Sequence, residues 1–339
     1  MGGVVGLSLK APMRRGISVV WFCLRSAIFG DRIASPEAIC TWSRRATGNA
    51  TPHRLAKVEW MKLASFKAAA GPSWGVIEGD RILDLMETSG HPTLQSAIAA
   101  DDLHKVHDWK ALAPSLPISD LEWLPVVTHP GKILCIGHNY ESHRKETGRA
   151  KTAHPSVFVR FADSQVGHRQ PIVRPAQSTM LDYEGELAVV IGRHCRGVAA
   201  QDALDVVAGY SIYNDASVRD WQWHTTQFTP GKNFAGTGAF GPWLVTADEI
   251  EDPSSLRVTT RLNGLVMQDQ PTNEMIFPVP DIIAYISQFT ALAPGDVIVS
   301  GTPGGVGAKR EPPVWMKPGD IVEVEIPAIG TLRNPIVAA

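Results

Sequence analysis

The plainest hydrophobic pattern in the chain is Leu187-Ala188-Val189-Val190-Ile191, an apolar, partly β-branched run closed by Gly192 and entered through Leu181-Asp182-Tyr183-Glu184-Gly185-Glu186. Such a run predicts a β-strand, in which side chains two apart share a face. Glu184 and Glu186 then point the same way, and Gly185 leaves the opposite face bare for close packing. Residues 209–215 alternate in the same manner and bring Asp215 to a strand end. Further strands are predicted at Lys62–Ala68, 132–137, Ser156–Arg160, 171–173 and 297–300, and at 74–85 as two short strands around Glu78-Gly79-Asp80. Residues 256–262 and 265–270 flank Asn263-Gly264, whose positive φ suits a type I′ hairpin. Helical spacing appears at 93–99, 103–112 and 200–207. It appears also at 280–289, where Ile283, Tyr285, Ile286 and Phe289 form the apolar side. The Pro-containing stretch 113–130 reads as a linker, and Ile321–Ile326, after a turn at 317–320, reads as the final strand.

This strand-rich pattern predicts a mixed β-rich α+β fold, with a small N-terminal α/β domain at 61–125 and a main domain at 130–339. Trp74, Trp109 and Trp123 of the small domain read as core. Residues 1–60 stand apart, being rich in Arg, poor in acids and without a clean period. They read as a transit peptide, a failed secretory signal or translation from a start upstream of the true one. The last is favoured, which makes them an extension, disordered or misassigned, whose deletion leaves folding and activity intact.

Composition narrows the function classes. At 339 residues with 44% hydrophobic content the chain can bury a large core. Its formal net charge of −2 offers no field for nucleic acid or anionic lipid, and no apolar run reaches the roughly 18 residues that span a bilayer. Cys23, Cys40, Cys135 and Cys195 are scattered and fit neither a disulfide framework nor a zinc site, which points to a reducing, cytoplasmic setting.

Chemistry gathers in a few places. Two carboxylates on one strand face repel unless a cation or proton lies between them, so Glu184 and Glu186 suggest a hard divalent metal, Mg²⁺ or Mn²⁺, with Asp215 as a third ligand; ordinary acids on an edge strand are the bland alternative. Across 141–146 a helical turn places His143 beside Glu146, and a carboxylate there fixes the imidazole tautomer a general base needs. Arg219 and Gln222 follow Asp215 by four and seven, one face of a helical turn, unless Arg219 merely pairs with Asp215 or Asp220. Lys232 stands alone among glycine and aromatic residues. The loop Gly301-Thr302-Pro303-Gly304-Gly305-Val306-Gly307 follows a strand but lacks the P-loop Lys-Ser/Thr pair.

Together, LDYEGELAVVIG, GYSIYNDASVRDWQ and SGTPGGVG, in that order, resemble the fumarylacetoacetate hydrolase family from about residue 130 to 336. The resemblance implies the family's rolled β-sheet fold and a homodimer, with Glu184, Glu186 and Asp215 as the metal ligands. It implies that His143 and Glu146, in N-Y-x-x-H-x-x-E, activate water on a mobile lid and that Lys232 stabilises an enolate. It further implies substrate contacts from Tyr140, Arg219, Gln222, Thr302 and Gly304, the last two in a carboxylate-holding loop. Many relatives carry Arg where His138 stands. The leading expectation is hydrolysis of a C–C bond in an acylpyruvate of the fumarylpyruvate or maleylpyruvate class, in aromatic-compound or sugar-acid catabolism. The alternatives are an oxaloacetate decarboxylase or a 5-carboxymethyl-2-hydroxymuconate-type isomerase, and, from another class, a non-catalytic metal-binding protein.

Overall fold

Period-two patterning builds most of residues 61–339, which the computed structural model describes; the expectations for residues 1–60, and for Cys23 and Cys40, lie outside the described residues. The Gly185–Ile191 strand is buried at all seven positions because both its faces are covered. Leu187, Val189 and Ile191 face one core with Val258 and Val324, while Ala188 and Val190 face another with Trp74 and Val299. The strand lies inside a twelve-stranded sheet, antiparallel to Val207–Asp215 on one side and Val297–Val299 on the other. Beyond Val207–Asp215 the sheet runs through Gly238–Thr246, Lys62–Ala68, Gly71–Glu78 and Arg81–Asp84 to Ser115–Pro117. Beyond Val297–Val299 it runs through Ile133–Gly137 to Ser156–Arg160.

A five-stranded sheet, ordered Leu265–Pro271, Arg257–Leu262, Ile321–Ile326, Gly330–Ala338, Ile172–Arg174, packs on the first. Gly185 permits that approach: a Cβ there would stand 2.1 Å from Thr260 Oγ1 and 2.9 Å from Val324 Cγ1. The bare face predicted for it is therefore filled by the second sheet. The hairpin also forms as predicted, with φ of 52° at Asn263 and 81° at Gly264. The whole is a sheet-rich, mixed α+β fold with few helices.

Some boundaries differ. Residues 61–125 join the main sheet through Lys62 and Leu63, which pair with Val245 and Leu244. The stretch expected as a linker carries two strands: Ser115–Pro117 pairs with Arg81–Asp84, and Glu122–Trp123 with Lys62–Ala68. Strands of two or three residues leave no period to detect, since distant partners fix them. The last strand is Gly330–Ala338 rather than Ile321–Ile326. Its alternation is masked by Asn334, a buried polar side chain that donates to Gly167 O at 2.8 Å and Gln170 O at 2.7 Å. The Val279–Phe289 helix buries Val279, Ile282, Ile283 and Ile286. Phe289, expected on that face, is the last residue of the helix and is exposed. Trp74 and Trp123 are buried, and Trp109 meets Trp74 edge-on at 6.0 Å.

His168 makes the fold sensitive to acid. Its ring meets Trp123 edge-on at 5.1 Å, and Nδ1 accepts from Arg333 N at 3.2 Å. Burial, helped by Arg169 and Arg333, lowers its pKa from 6.5 to about 3. The fold therefore favours the neutral ring: this contribution is complete above pH 6.5 and is lost as pH falls from 6.5 toward 3. Urea unfolding should show this group costing up to about 1.4 kcal/mol per pH unit below pH 6.5. His168→Gln, which cannot take up the proton, should remove that part of the slope.

Candidate active site and metal centre

Strand register assembles the carboxylates. Asp215 N donates to Glu184 O at 2.8 Å, and Glu186 stands opposite Tyr213. That pairing puts Glu184, Glu186 and Asp215 on one face, with oxygens of all three within 4.8 Å of one another and all three residues buried. Lys232 Nζ bridges two of them, 2.6 Å from Glu184 Oε2 and 2.5 Å from Asp215 Oδ2. Lys232 ends the short Thr229–Lys232 helix, where Gly231 lies so tight against Gln222 that a Cβ would stand 2.5 Å from its backbone N. Arg219 Nη2 reaches Glu184 Oε1 at 2.7 Å, and Arg160 Nη1 reaches Asp215 Oδ1 at 2.5 Å.

The charges divide unevenly. Burial alone would raise Glu184, but Lys232 and Arg219 hold it well below the usual carboxylate range. Burial works against the Lys232 ammonium, while Asp215 and Glu184 more than offset it and keep it protonated. Glu186 lacks such a partner among the described residues; its Oε2 accepts from Gly301 N. Burial, then the charges of Asp215 and Glu184, push Glu186 well above the usual range. A divalent cation among the three carboxylates relieves this like-charge strain, and an oxygen-only donor set suits Mg²⁺ or Mn²⁺.

His143 and Glu146 form the expected pair on the Glu141–Glu146 helix, with Nδ1 2.7 Å from Glu146 Oε1. A carboxylate only accepts, so Nδ1 carries the hydrogen and Nε2 is left to take or give a proton. His138 stacks on His143, with ring centroids 5.2 Å apart. Burial and then the His143 charge lower the His138 pKa to about 4, so it stands neutral in the cavity. The cavity has a volume of about 120 Å³ and brings together His143, Glu184, Glu186, Arg219, Gln222, Lys232 and Thr302.

Other expected contacts lie elsewhere. Tyr140 is fully buried in the hydrophobic core and does not line the cavity. The predicted helical face of Asp215, Arg219 and Gln222 does not exist, because Asp215 ends a strand and Ser217–Val218 pairs with Leu181–Asp182 before the Arg219–Gln222 helix begins. Arg219 reaches the site through that pairing. Its Nε donates to Asp182 Oδ2 and its Nη1 to Gln222 Oε1, each at 2.8 Å, so its partners are Asp182 and Glu184 rather than Asp215 or Asp220. The glycine-rich loop does hold carboxylates, but they are the protein's own. Gly301 N donates to Glu186, Gly305 N to Glu146 Oε2 at 2.8 Å, and Gly307 N and Ala308 N to Asp182 at 2.8 and 3.0 Å. Gly304 N donates to Ser142 Oγ at 3.0 Å, and the Thr302 hydroxyl donates to Gly185 O at 3.0 Å.

Three residues that order the site carry no sequence signal, because each acts across a long chain separation. Arg160 holds Asp215. Asn139 ties the chain entering the Glu141–Glu146 helix to Phe277 and Ser300. Asp182, fully buried, accepts from Tyr183 N, Gly307 N, Ala308 N and Arg219 Nε, joining Arg219 to the loop. Burial raises the Asp182 carboxyl, and the Arg219 charge and the Ala308 N–H oppose that rise. Asp182→Asn puts an N–H₂ where a donor already points and should cost about 2 to 3 kcal/mol in urea unfolding. Unchanged stability would show that these bonds contribute nothing net.

The family profile "Fumarylacetoacetate (FAA) hydrolase C-terminal" matches residues 132–337. The chain is 44% identical over 229 residues to the human protein "Oxaloacetate tautomerase FAHD2A, mitochondrial", a match covering 67% of this chain and 73% of the relative. Among solved structures it is similar to a fumarylacetoacetate hydrolase from Exiguobacterium antarcticum, with TM-score 0.75 and 36% identity over 82% of this chain and 100% of that one. It is also similar to maleylpyruvate hydrolase from Sphingobium sp. SYK-6 in complex with manganese(II) ion and pyruvate, with TM-score 0.70 and 27% identity over 82% and 100%. With the profile spanning more than half of the chain and the predicted motifs meeting at one site, the chain belongs to the fumarylacetoacetate hydrolase family.

Proposed function

We propose that this chain is a divalent-metal-dependent enzyme that interconverts the enol and keto forms of oxaloacetate. The observation that carries this reading is one small cavity lined by Glu184 and Glu186 of the buried carboxylate triad, by a charged Lys232 and by His143 with one ring nitrogen free. The human relative named as an oxaloacetate tautomerase supports the choice of substrate. Glu184, Glu186 and Asp215 would hold Mg²⁺ or Mn²⁺, which when bound stabilises negative charge on the oxygens of a 2-oxo acid. Lys232 adds positive charge beside the developing enolate where water is scarce. His143 Nε2 takes the enol hydroxyl proton as imidazole and delivers it to C3 as imidazolium, and in the reverse direction takes it from C3 and returns it to the oxygen. The enol oxygen loses one proton, C3 gains one, and no other atom enters or leaves. Glu146 keeps the ring in the required tautomer, Arg219 and Gln222 face the substrate from the cavity wall, and Phe158 and Phe228 exclude water.

The test is the decay of freshly dissolved enol-oxaloacetate followed by its absorbance. The expected result is saturable acceleration over buffer with Mg²⁺ or Mn²⁺, abolished by chelator. Decay at the buffer rate under every metal condition would remove the reading.

Hydrolysis of an acylpyruvate, the first expectation from sequence, is the second reading. It is favoured by the 2.7 Å His143–Glu146 pair, whose free nitrogen could equally take a proton from water, and by the structural likeness to the maleylpyruvate hydrolase. Pyruvate release from fumarylpyruvate, maleylpyruvate or acetylpyruvate separates the two. A homodimer belongs to the same proposal and is read by light scattering. No helix among the described residues is long and apolar enough to cross a membrane. The cysteine pattern asks only for a reducing compartment and does not narrow it to the cytoplasm; the human relative is named as mitochondrial.

A further inference from the structure

We infer that Arg149 and Lys309 form a distal subsite of the active-site cavity that takes the second carboxylate of a 2-oxo dicarboxylic acid; this rests on the proposed reading that the triad end receives the 2-oxo acid group. Six basic side chains line the cavity: His138, His143, Arg149, Arg219, Lys232 and Lys309. Four of them are already engaged or neutral. Arg219 is bound to Asp182, Glu184 and Gln222, Lys232 to Glu184 and Asp215, and His143 to Glu146, while His138 is uncharged. The only acids among the described lining residues are Glu184 and Glu186, both at the triad end. Arg149 and Lys309 therefore bring two exposed positive charges to the cavity with no protein carboxylate assigned to them among the described residues.

Their backbones are nonetheless fixed. Arg149 follows the lid helix through Gly148 (φ 68°); its N donates to Arg144 O at 3.1 Å and its O accepts from Arg144 Nη1 at 2.6 Å. Lys309 closes the Gly307–Lys309 turn, where Gly307 and Ala308 are clamped to Asp182 and Lys309 N donates to Val306 O at 3.2 Å. The lid and the loop are joined through Gly304–Ser142 and Gly305–Glu146, so both cations border the same opening. Two like charges converging on a cavity repel each other, and a carboxylate between them removes that cost while accepting charge-assisted hydrogen bonds. The cavity lining thus offers two cations beyond those bound to the triad, suited to an acid that carries a second charged group.

The test compares oxaloacetate with 2-oxobutyrate, which carries a methyl group where oxaloacetate has its distal carboxylate. Binding with saturating Mg²⁺ is read by tryptophan fluorescence, since Trp223 lines the cavity. The protein should bind oxaloacetate about 10-fold or more tighter than 2-oxobutyrate. Arg149→Gln with Lys309→Gln should weaken oxaloacetate by about 10-fold to 100-fold and leave 2-oxobutyrate within about twofold. Equal weakening of both ligands, or a retained preference, would overturn the subsite. Binding does not depend on turnover, so failure of the tautomerase reading would appear separately, as tighter binding of oxaloacetate than of 2-oxobutyrate by the unsubstituted protein with no acceleration of enol decay.

Discussion

Glu186→Gln is expected to lower turnover by at least about 10³-fold, the several kcal/mol that a metal supplies to a developing anion. The protein should stay folded, because the exchange is nearly isosteric and Gly301 N can still donate to a side-chain oxygen. It should also be at least as stable as the parent without metal, since burial and the charges of Asp215 and Glu184 push the Glu186 carboxyl well above its usual range. Its stability response to metal should vanish. A ligand that binds only the folded form at 100 times its Kd adds about 2.7 kcal/mol, which the parent should show with Mn²⁺ and the variant should not. If the variant were still stabilised by Mn²⁺ to the parent's extent, the triad would not be the metal site.

His143→Asn should divide the two activities of the site. Glu186 and Asp215 lie on strands, Glu184 directly precedes one, and His143 lies on the separate Glu141–Glu146 helix, so Mn²⁺ affinity should be kept while turnover falls by about 10²-fold to 10⁴-fold, the usual share of a positioned acid–base group. Glu146→Gln should fall less, because it leaves the imidazole in place and removes only its orienting acceptor. Full turnover by His143→Asn would refute the proton-carrier role for either reaction.

The parts of this site that were legible in sequence were those with short-range causes. Period two put Glu184 and Glu186 on one face, the i, i+3 relation joined His143 to Glu146, and Asn263-Gly264 specified its hairpin. Asp215 was placed by its strand, yet continuing its spacing as a helix to Arg219 and Gln222 failed, since two extended residues intervene. The residues without a signal, Asp182, Arg160 and Asn139, gain their roles from partners 37 to 161 positions away. The expected role of the glycine loop is to hold a substrate carboxylate, whereas its observed partners, Glu186, Glu146 and Asp182, lie too far away in the chain for sequence to show. Reaction class was least legible for a chemical reason. A His–Glu pair beside an enolate-stabilising centre serves proton delivery to carbon as well as it serves water activation, so the dyad that placed hydrolysis first does not distinguish the two.

The most direct measurement is a proton NMR time course of the full chain with Mg²⁺ and freshly dissolved enol-oxaloacetate, repeated with acetylpyruvate. The account predicts that the enol vinyl signal converts to the keto methylene signal faster than in buffer, with no pyruvate methyl signal above background from either substrate. Enol decay at the buffer rate, together with pyruvate released from acetylpyruvate, would contradict the tautomerase assignment and establish the hydrolase in its place.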